Sequence, residues 1–259
     1  MLHKHAHRPA WAGHCGSRKK NIRLLVLLHP MPEVTRAMEE YLEQVLRLED
    51  SSGAARTKTL ARRLGVSLGT VTNSLSRLER LGYVRRQRYK GARLTRQGRK
   101  VALNVLRRHR LIERLLTDVL HVSWSRAHGA ACKLEHCIDE EVTDAIDTAL
   151  AHPKTCPHGN PIPRTGMAVS DASTRLAELS AHDAGIVVRV VDEEEEGALP
   201  YLESIGLIPG ADFTVEGHVP FDGAVILTLR ESEFTVSKRA ASLVVVQKRG
   251  LVKGDARRI

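Results

Sequence analysis

Between positions 128 and 136 the chain reads HGAACKLEH, which sets a histidine, a cysteine, a carboxylate and a second histidine at helical intervals. At about 3.6 residues per turn, His128 lies one turn before Cys132, and Glu135 and His136 follow one turn after it, so a helix would gather all four donors on one side. Upstream, His109 and Glu113 repeat the i,i+4 spacing in HRLIER, and Glu40 and Glu43 in EEYLEQ offer two carboxylates at i,i+3. Imidazole, thiolate and carboxylate together suit a first-row divalent transition ion, whereas calcium and magnesium take oxygen ligands. A lone His or Glu on a helical face is ordinarily only solvated. Here the donors recur at matching periods on three segments, and that recurrence points to a metal site.

The elements that must carry these residues follow from hydrophobic periodicity. Met38, Tyr41, Leu42, Val45, Leu46 and Leu48 recur at helical spacing from Thr35 to about Leu48, and Ser51-Ser52-Gly53 ends the run. Arg56–Leu64 predicts a short second helix, and Gly65-Val66-Ser67 a tight turn. Residues 67–81 predict a third helix with Val71, Leu75, Leu78 and Leu81 inward, so the three segments read as a helix-turn-helix. The following YVRRQRYKGARLT alternates around Lys90-Gly91 as a basic hairpin would, which makes it a wing. Thr95–His121 predicts one long helix with Thr95 as N-cap, followed by helices over Ser125–Cys137 and Asp139–Leu150. These middle helices carry more apolar surface than three helices can bury among themselves, which predicts a homodimer through them. HPKTCPHGNPIPRTG (152–166) breaks all periodicity, so Cys156 and His158 read as loop structure, and Cys137 reads as a buried thiol off the ligand face. Beyond a linker the pattern turns to β, with strand-like runs at 185–191, 212–217, 224–229, 234–238 and 242–247 and a short helix at 199–205. Strands at that spacing predict a small barrel. The acidic run Glu193–Glu196 reads as a solvated loop.

The formal net charge is +10, unevenly spread. Residues 1–30 hold six Lys or Arg and no acid, and residues 52–100 hold fourteen opposed only by Glu79. One sign concentrated in one folded segment is the footprint of a polyanion partner. Aromatics make up 3% of the chain, too few for the stacking platform of a single-strand binder. The four cysteines form no CxxC pair, no apolar run would span a bilayer, and a reducing cytoplasm is the expected setting. Neither a nucleophile constellation nor a phosphate loop is present, so an enzyme is not expected. Residues 1–30 read as a disordered basic arm.

Taken together, RRHRLIERLLTDVL, AACKLEH, IDEEV and TCPHGNPIP closely resemble the diphtheria-toxin-repressor (DtxR/MntR) family of iron- and manganese-dependent regulators, over a stretch from about Glu39 to Pro163. The C-terminal ALPYLESIGLIPGADFTVEG resembles the SH3-like (FeoA-like) domain of longer members. The resemblance implies a mainly α fold with a β C-terminal domain. Its parts would be a winged helix-turn-helix at 31–100, a helical metal-binding and dimerisation domain at 101–165, a linker at 166–180 and the SH3-like small barrel at 181–259. It also implies ligands. Glu40 stands where iron-type members have Met and manganese-type members Asp, and Glu43 matches a manganese-type Glu. His109 and Glu113 match the pair on the long helix, His128 an ancillary histidine, Cys132 the iron-type thiol, and Glu135 and His136 ligands common to both types. The set is a hybrid, and the cofactor it implies is Mn2+ or Fe2+, with Mn2+ slightly preferred for its hard carboxylates. A carboxylate from the SH3-like domain is also implied near Glu193–Glu196, while the expected neighbouring amide ligand is replaced by Ala198.

On the reading head, Ser67, Gly69, Thr70 and Asn73 fall near the N-terminus of the recognition helix, where side chains reach base edges. Gly69 replaces a Pro common in the family, and Asn can pair bidentately with adenine. Thr57, Lys58, Arg86, Arg88 and Lys90 are expected on phosphates, where they would set affinity and salt dependence. The function expected is a metal-activated dimeric repressor of metal-uptake genes, with double-stranded operator DNA as partner. The alternative is a winged-helix regulator that answers an organic ligand or a redox change at Cys132.

Overall fold

The first helix, α1 (Arg36–Ser52), turns the predicted apolar stripe inward: Met38, Tyr41, Leu42, Val45, Leu46 and Leu48 are all buried. Burying each Leu or Val contributes about 1.5–3 kcal/mol, so this stripe alone anchors the helix. The computed structural model describes residues 34–87, 90–164, 174–191, 193 and 195–249, of which Arg36 onward forms one unit. The expected basic arm and Arg88 lie outside the described residues.

Helix α2 (Thr57–Leu64) ends at Gly65 in the left-handed region, and α3 (Leu68–Arg80) begins at Ser67, whose hydroxyl accepts from the Thr70 amide. Such an N-cap contributes about 1 kcal/mol and sets the angle at which α3 leaves the turn. Val71, Leu75 and Leu78 face the core, as their spacing predicts. Strands β1 (Val84–Gln87) and β2 (Gly91–Leu94) pair antiparallel from Val84↔Leu94 to Gln87↔Gly91 and form the wing. Gly91 has φ +98°, and a Cβ there would overlap the Ala55 carbonyl, so only glycine lets the wing dock on the segment before α2.

Thr95 caps α4 (Arg96–Arg114) by accepting from the Gly98 amide. The expected single helix to His121 instead passes into a π-helical turn, Leu115–Val119. Helix α5 (Trp124–Leu134) follows, then α6 (Glu140–Ala149), capped by Asp139. Because α5 stops at Leu134, Cys137 lies beyond it and is exposed, contrary to the expected buried thiol.

The β part is a six-stranded antiparallel sheet. Its strands are β3 (Thr174–Arg175), β4 (Ala184–Val190), β5 (Asp212–His218), β6 (Val225–Leu229), β7 (Ser232–Val236) and β8 (Val244–Lys248), in the order β3-β8-β4-β5-β6-β7. Thr174 and Arg175, expected in the linker, pair with Val246 and Val245 of β8. Two helices serve the sheet: α7 (Ala198–Ile205) and α8 (Lys238–Leu243), the latter standing where the sequence suggested only strands. Their core includes Leu176, Val190, Leu202, Leu207, Phe213 and Leu227, and Trp124 of α5 packs against it.

Candidate metal centres and the DNA-reading head

Helix α4 is the spine of the candidate site. His109 and Glu113, one turn apart, are both fully buried, with His109 Nε2 2.9 Å from Glu113 Oε1. From α5, His128 brings Nδ1 to 3.0 Å from His109 Nε2 and 3.2 Å from Glu113 Oε1. The other face of His109 reaches downward, with Nδ1 2.6 Å from Glu135 Oε2. Past the end of α5, His136 closes the lower group: Nε2 lies 3.2 Å from Glu40 Oε2 and 3.3 Å from Glu135 Oε1. The donors therefore form a connected row, with a lower set of Glu40, Glu135 and His136, a middle set of Glu43, His109 and Glu135, and an upper set around His109, Glu113 and His128.

All eight sequence-named ligands fall in this row, but Cys132 departs from the expected arrangement. Among the described residues no single set gathers His128, Cys132, Glu135 and His136; the Cys132 sulfur lies 3.7 Å from His128 Nε2 and 4.0 Å from His109 Nδ1. The helix carries Cys132 back toward His128, one turn earlier, while Glu135 and His136 sit where α5 has ended. Glu43 belongs to the middle set and is also paired with Arg47 of its own helix at 2.7 Å.

Three features escaped the sequence reading. Glu39 accepts from His136 Nδ1 at 2.8 Å while its other oxygen accepts from Arg108 at 2.5 Å. Glu193, in a run read locally as a solvated loop although the family resemblance implied an ancillary carboxylate near it, is buried and places Oε2 3.3 Å from His128 Nδ1. Asn160 holds it there by donating from Nδ2 to Oε1. Cys156 and His158, expected as loop structure, are both buried, and His158 Nδ1 lies 3.2 Å from Glu113 Oε1. His158 Nε2 meets the Trp124 carbonyl at 3.0 Å, an acceptor, so that nitrogen carries a hydrogen, and Nδ1 faces the carboxylates as a lone pair open to a cation or, when the ring is protonated, as a second N–H.

The electrostatics are those of a row built for cations. Burial disfavours charge on His128, but Cys132, Glu113 and Glu193 outweigh it and push its pKa up to about 11. His136 likewise reaches about 11, burial being outweighed by Glu135, Glu39 and Glu40. Burial would raise Glu135, yet His109 and His136 hold it down to about 2. Without a cation the histidines must carry protons to separate the carboxylates. Glu113 Oε2 is nonetheless buried with no hydrogen-bond partner, and Glu193 Oε2 is met only by the ion-pair contacts of His128 at 3.3 Å and Arg47 at 3.5 Å. An orphaned acceptor of that kind is costly unless another group meets it. Neutral imidazoles, carboxylates and a thiolate with such an unmet acceptor fit a divalent transition ion.

On the reading head, Lys58, Ser67, Gly69, Thr70, Asn73 and Lys90 are exposed and Thr57 is partly so. The Ser67 hydroxyl is engaged in capping and lies 2.9 Å from that of Thr70. Arg86 is exposed, but its guanidinium donates to Thr72 O and Ser76 Oγ of α3 and lies 3.5 Å from Glu79. It braces the wing against the recognition helix rather than standing free. No helix of the described residues is long and apolar enough to cross a membrane.

Comparisons with known proteins agree with this geometry. The profile for "Iron dependent repressor, N-terminal DNA binding domain" matches residues 33–92, that for "Iron dependent repressor, metal binding and dimerisation domain" residues 95–164, and the FeoA domain residues 174–248. The iron-dependent repressor IdeR of Mycobacterium tuberculosis is 35% identical over 230 residues, covering 84% of this chain and 100% of the relative. The diphtheria toxin repressor of Corynebacterium diphtheriae is 34% identical over 146 residues, covering 55% of this chain and 65% of that protein. A manganese-dependent transcriptional repressor solved in complex with manganese superposes with TM-score 0.73 at 29% identity, over 82% of this chain and 99% of that one. The chain belongs to the iron-dependent repressor (DtxR/MntR) family of metal-dependent DNA-binding transcriptional regulators, which are not enzymes.

Proposed function

We propose that this protein is a cytoplasmic homodimeric repressor of metal-uptake genes that binds its operator when loaded with Mn2+, or with Fe2+ as the next preference. The observation that carries the reading is the 3.2 Å approach of Glu40, on α1, to His136, beyond α5. Helix α1 packs on α2, α3 and β2 of the reading head and lies along α4, while His136 follows α5 in the helical midsection at 101–165. A group that binds Glu40, Glu135 and His136 together ties the two. Glu43, His109 and Cys132 border that centre, and His109, Glu113, His128 and Glu193 form the ancillary one. A bound divalent cation supplies the positive charge that lets imidazole lone pairs and carboxylates face one another without protons between them.

The chain's own residues do the rest. Glu39 orients His136 from behind, Arg108 holds Glu39, and the buried stripe of α1 transmits any displacement of Glu40 to the recognition helix. Two half-sites on a duplex demand a fixed separation of two recognition helices, so a small shift of α1 decides whether both heads dock. Such an ion shifts the balance only by its differential affinity for the docked geometry. Val119, Leu120, Leu134 and Val142 are exposed on the helical part, and a dimer partner would cover them. Thr57, Lys58 and Lys90 are assigned to phosphates with Arg88, and Gly69, Thr70 and Asn73 to base edges with Ser67 as their cap. Arg86 supports the wing.

Metal-free protein titrated separately with Mn2+, Fe2+ and Zn2+ while operator binding is followed tests the reading. Operator affinity is expected to rise most steeply with Mn2+ and then Fe2+, and chelation should reverse it. Operator binding that is insensitive to all three ions and to chelators would favour an organic or redox trigger at Cys132 and sink the proposal.

A further inference from the structure

Helix α1 carries a fixed cation on the face that carries its acids. Glu40, Glu43 and Arg47 follow at i, i+3 and i+7, so Arg47 stands one turn beyond Glu43, with acid before base as a helix favours. At a surface such a pair contributes little. Here the Glu43 side chain is 3% exposed and that of Arg47 15%, and Arg47 Nε and Nη2 both donate to the same oxygen, Glu43 Oε1, at 3.1 and 2.7 Å. The third nitrogen reaches off the helix: Nη1 lies 3.5 Å from Oε2 of Glu193, a residue 2% exposed after β4. One guanidinium therefore spans an acid of the middle donor set and an acid of the upper one.

We propose that Arg47 is an internal competitor of the metal: its guanidinium holds the place of a cation between Glu43 and Glu193 and so sets how much free ion is needed to load the row. The inference rests on the reading above that these residues hold metal. Other cationic groups face the same acids in a different way. His128 Nδ1 lies 3.3 Å from Glu193 Oε2 and His158 Nδ1 3.8 Å from Oε1, but an imidazole can release its proton and turn a lone pair to an entering ion. Arg110 donates to the Pro161 carbonyl, so a neutral backbone group holds it. Arg47 cannot deprotonate, and all three of its nitrogens face carboxylates. An ion that engages Glu43 or Glu193 must take them in the presence of that permanent charge.

Two effects of opposite sign follow. In the metal-free protein the guanidinium compensates two buried acids, and removing it leaves them without that partner, which destabilises the fold. In the loaded protein the divalent ion supplies the compensating charge, and Arg47 becomes a like charge at the edge of the row, where little water screens it. Loss of Arg47 should therefore weaken the metal-free protein and tighten ion binding. A residue that merely orients ligands has the reverse signature, because its removal weakens binding. A residue that only packs α1 would lower stability and leave ion affinity where it was.

The test compares full-length wild type, Arg47→Met, which keeps an apolar stem without the charge, and Arg47→Lys, which keeps the charge. Each is stripped of metal and titrated with Mn2+, and urea midpoints are measured with chelator and with saturating Mn2+. Arg47→Met should bind Mn2+ more tightly by about 5–150-fold, the usual range of a coupling free energy. Its midpoint should fall in chelator and recover more than that of wild type when Mn2+ is added. Arg47→Lys should stay closer to wild type than to Arg47→Met in affinity. Should Arg47→Met fail to fold without metal, Arg47→Gln takes its place with the same expected direction. Mn2+ affinity of the uncharged variant that is weaker than, or within about twofold of, wild type would overturn the competitor, as would an Arg47→Lys protein that binds as tightly as the uncharged one. Wild type that takes up no Mn2+, Fe2+ or Zn2+ would instead remove the metal reading itself.

Discussion

Glu39→Gln is the substitution whose effect follows most directly from the lower centre. Glu39 contacts His136 Nδ1 at 2.8 Å and Arg108 at 2.5 Å, and burial, which would raise its pKa, is outweighed by His136 and Arg108 so that it stays ionised. As an anion it can only accept, so it fixes hydrogen on Nδ1 and turns Nε2 toward Glu40 and Glu135. A neutral amide presents both a donor and an acceptor, loses the charge that makes the imidazole a better base, and is free to rotate. Loss of such an outer partner costs about 10–100-fold in metal affinity, or about 1.4–2.8 kcal/mol. Glu39 is not itself in the lower donor set, so the number of ions bound should be unchanged. Titration of metal-free wild type and variant with Mn2+, with free ion followed by electron paramagnetic resonance, separates the two quantities. A Glu39→Gln protein that binds Mn2+ within about twofold of wild type would refute the orienting role. Loss of a whole equivalent would instead make Glu39 a ligand.

Other consequences concern pH, the core and DNA. In the metal-free protein His128 and His136 have pKa values raised to about 11, so their contribution to stability is complete below the ordinary 6.5 and is lost as pH rises toward 11. Glu135, lowered to about 2, contributes above 4.5 and loses that contribution as pH falls toward 2, so denaturant midpoints should be highest between about 4.5 and 6.5. Because an ion must displace those histidine protons, Mn2+ affinity should rise from pH 6 to pH 8, with proton release seen by calorimetry in buffers of different ionisation enthalpy; a pH-independent affinity would contradict the protonated row. Leu42→Ala, at a fully buried position of α1, should cost about 2–5 kcal/mol in urea unfolding, whereas Leu68→Ala, 55% exposed, should stay within about 0.5 kcal/mol. On the reading head, Asn73→Ala should cost about 1–3 kcal/mol on the operator and relax discrimination at one base. Lys58→Ala should weaken all sequences alike and reduce the salt slope by about 1, and the opposite pattern in fluorescence anisotropy would exchange their roles.

Much of this was legible in the chain because helices and caps are local. Ser67, Thr95 and Asp139 cap the helices they precede, and the apolar stripe of α1 faces the core as its period requires. His109, Glu113 and His128 meet because their spacing puts them on facing sides of two packed helices, and Glu135 joins them from the C-cap of α5. What escaped depends on contacts far apart in sequence. Nothing local distinguishes Glu193 from the acids beside it; it is buried because the loop after β4 meets Asn160 of the 152–164 segment. Periodicity is equally silent about Cys156 and His158, which sit in a Pro- and Gly-rich stretch. The motif TCPHGNPIP, with two ligand-type residues two apart, was the one available signal. Helix α8 was hidden because KRAASL lies between β-branched runs, and its helical turn is set by the Ser237 cap. Cys137 was misplaced because helical counting was carried past Leu134, where α5 stops.

The tie between α1 and the midsection can be observed outright. Anomalous diffraction at the manganese edge, from a crystal of the full chain grown with Mn2+, should place an ion with the Glu40 carboxylate and His136 Nε2 both in its coordination shell. An ion held there without any atom of α1, or no ion at all among Glu40, Glu135 and His136, would contradict the central claim.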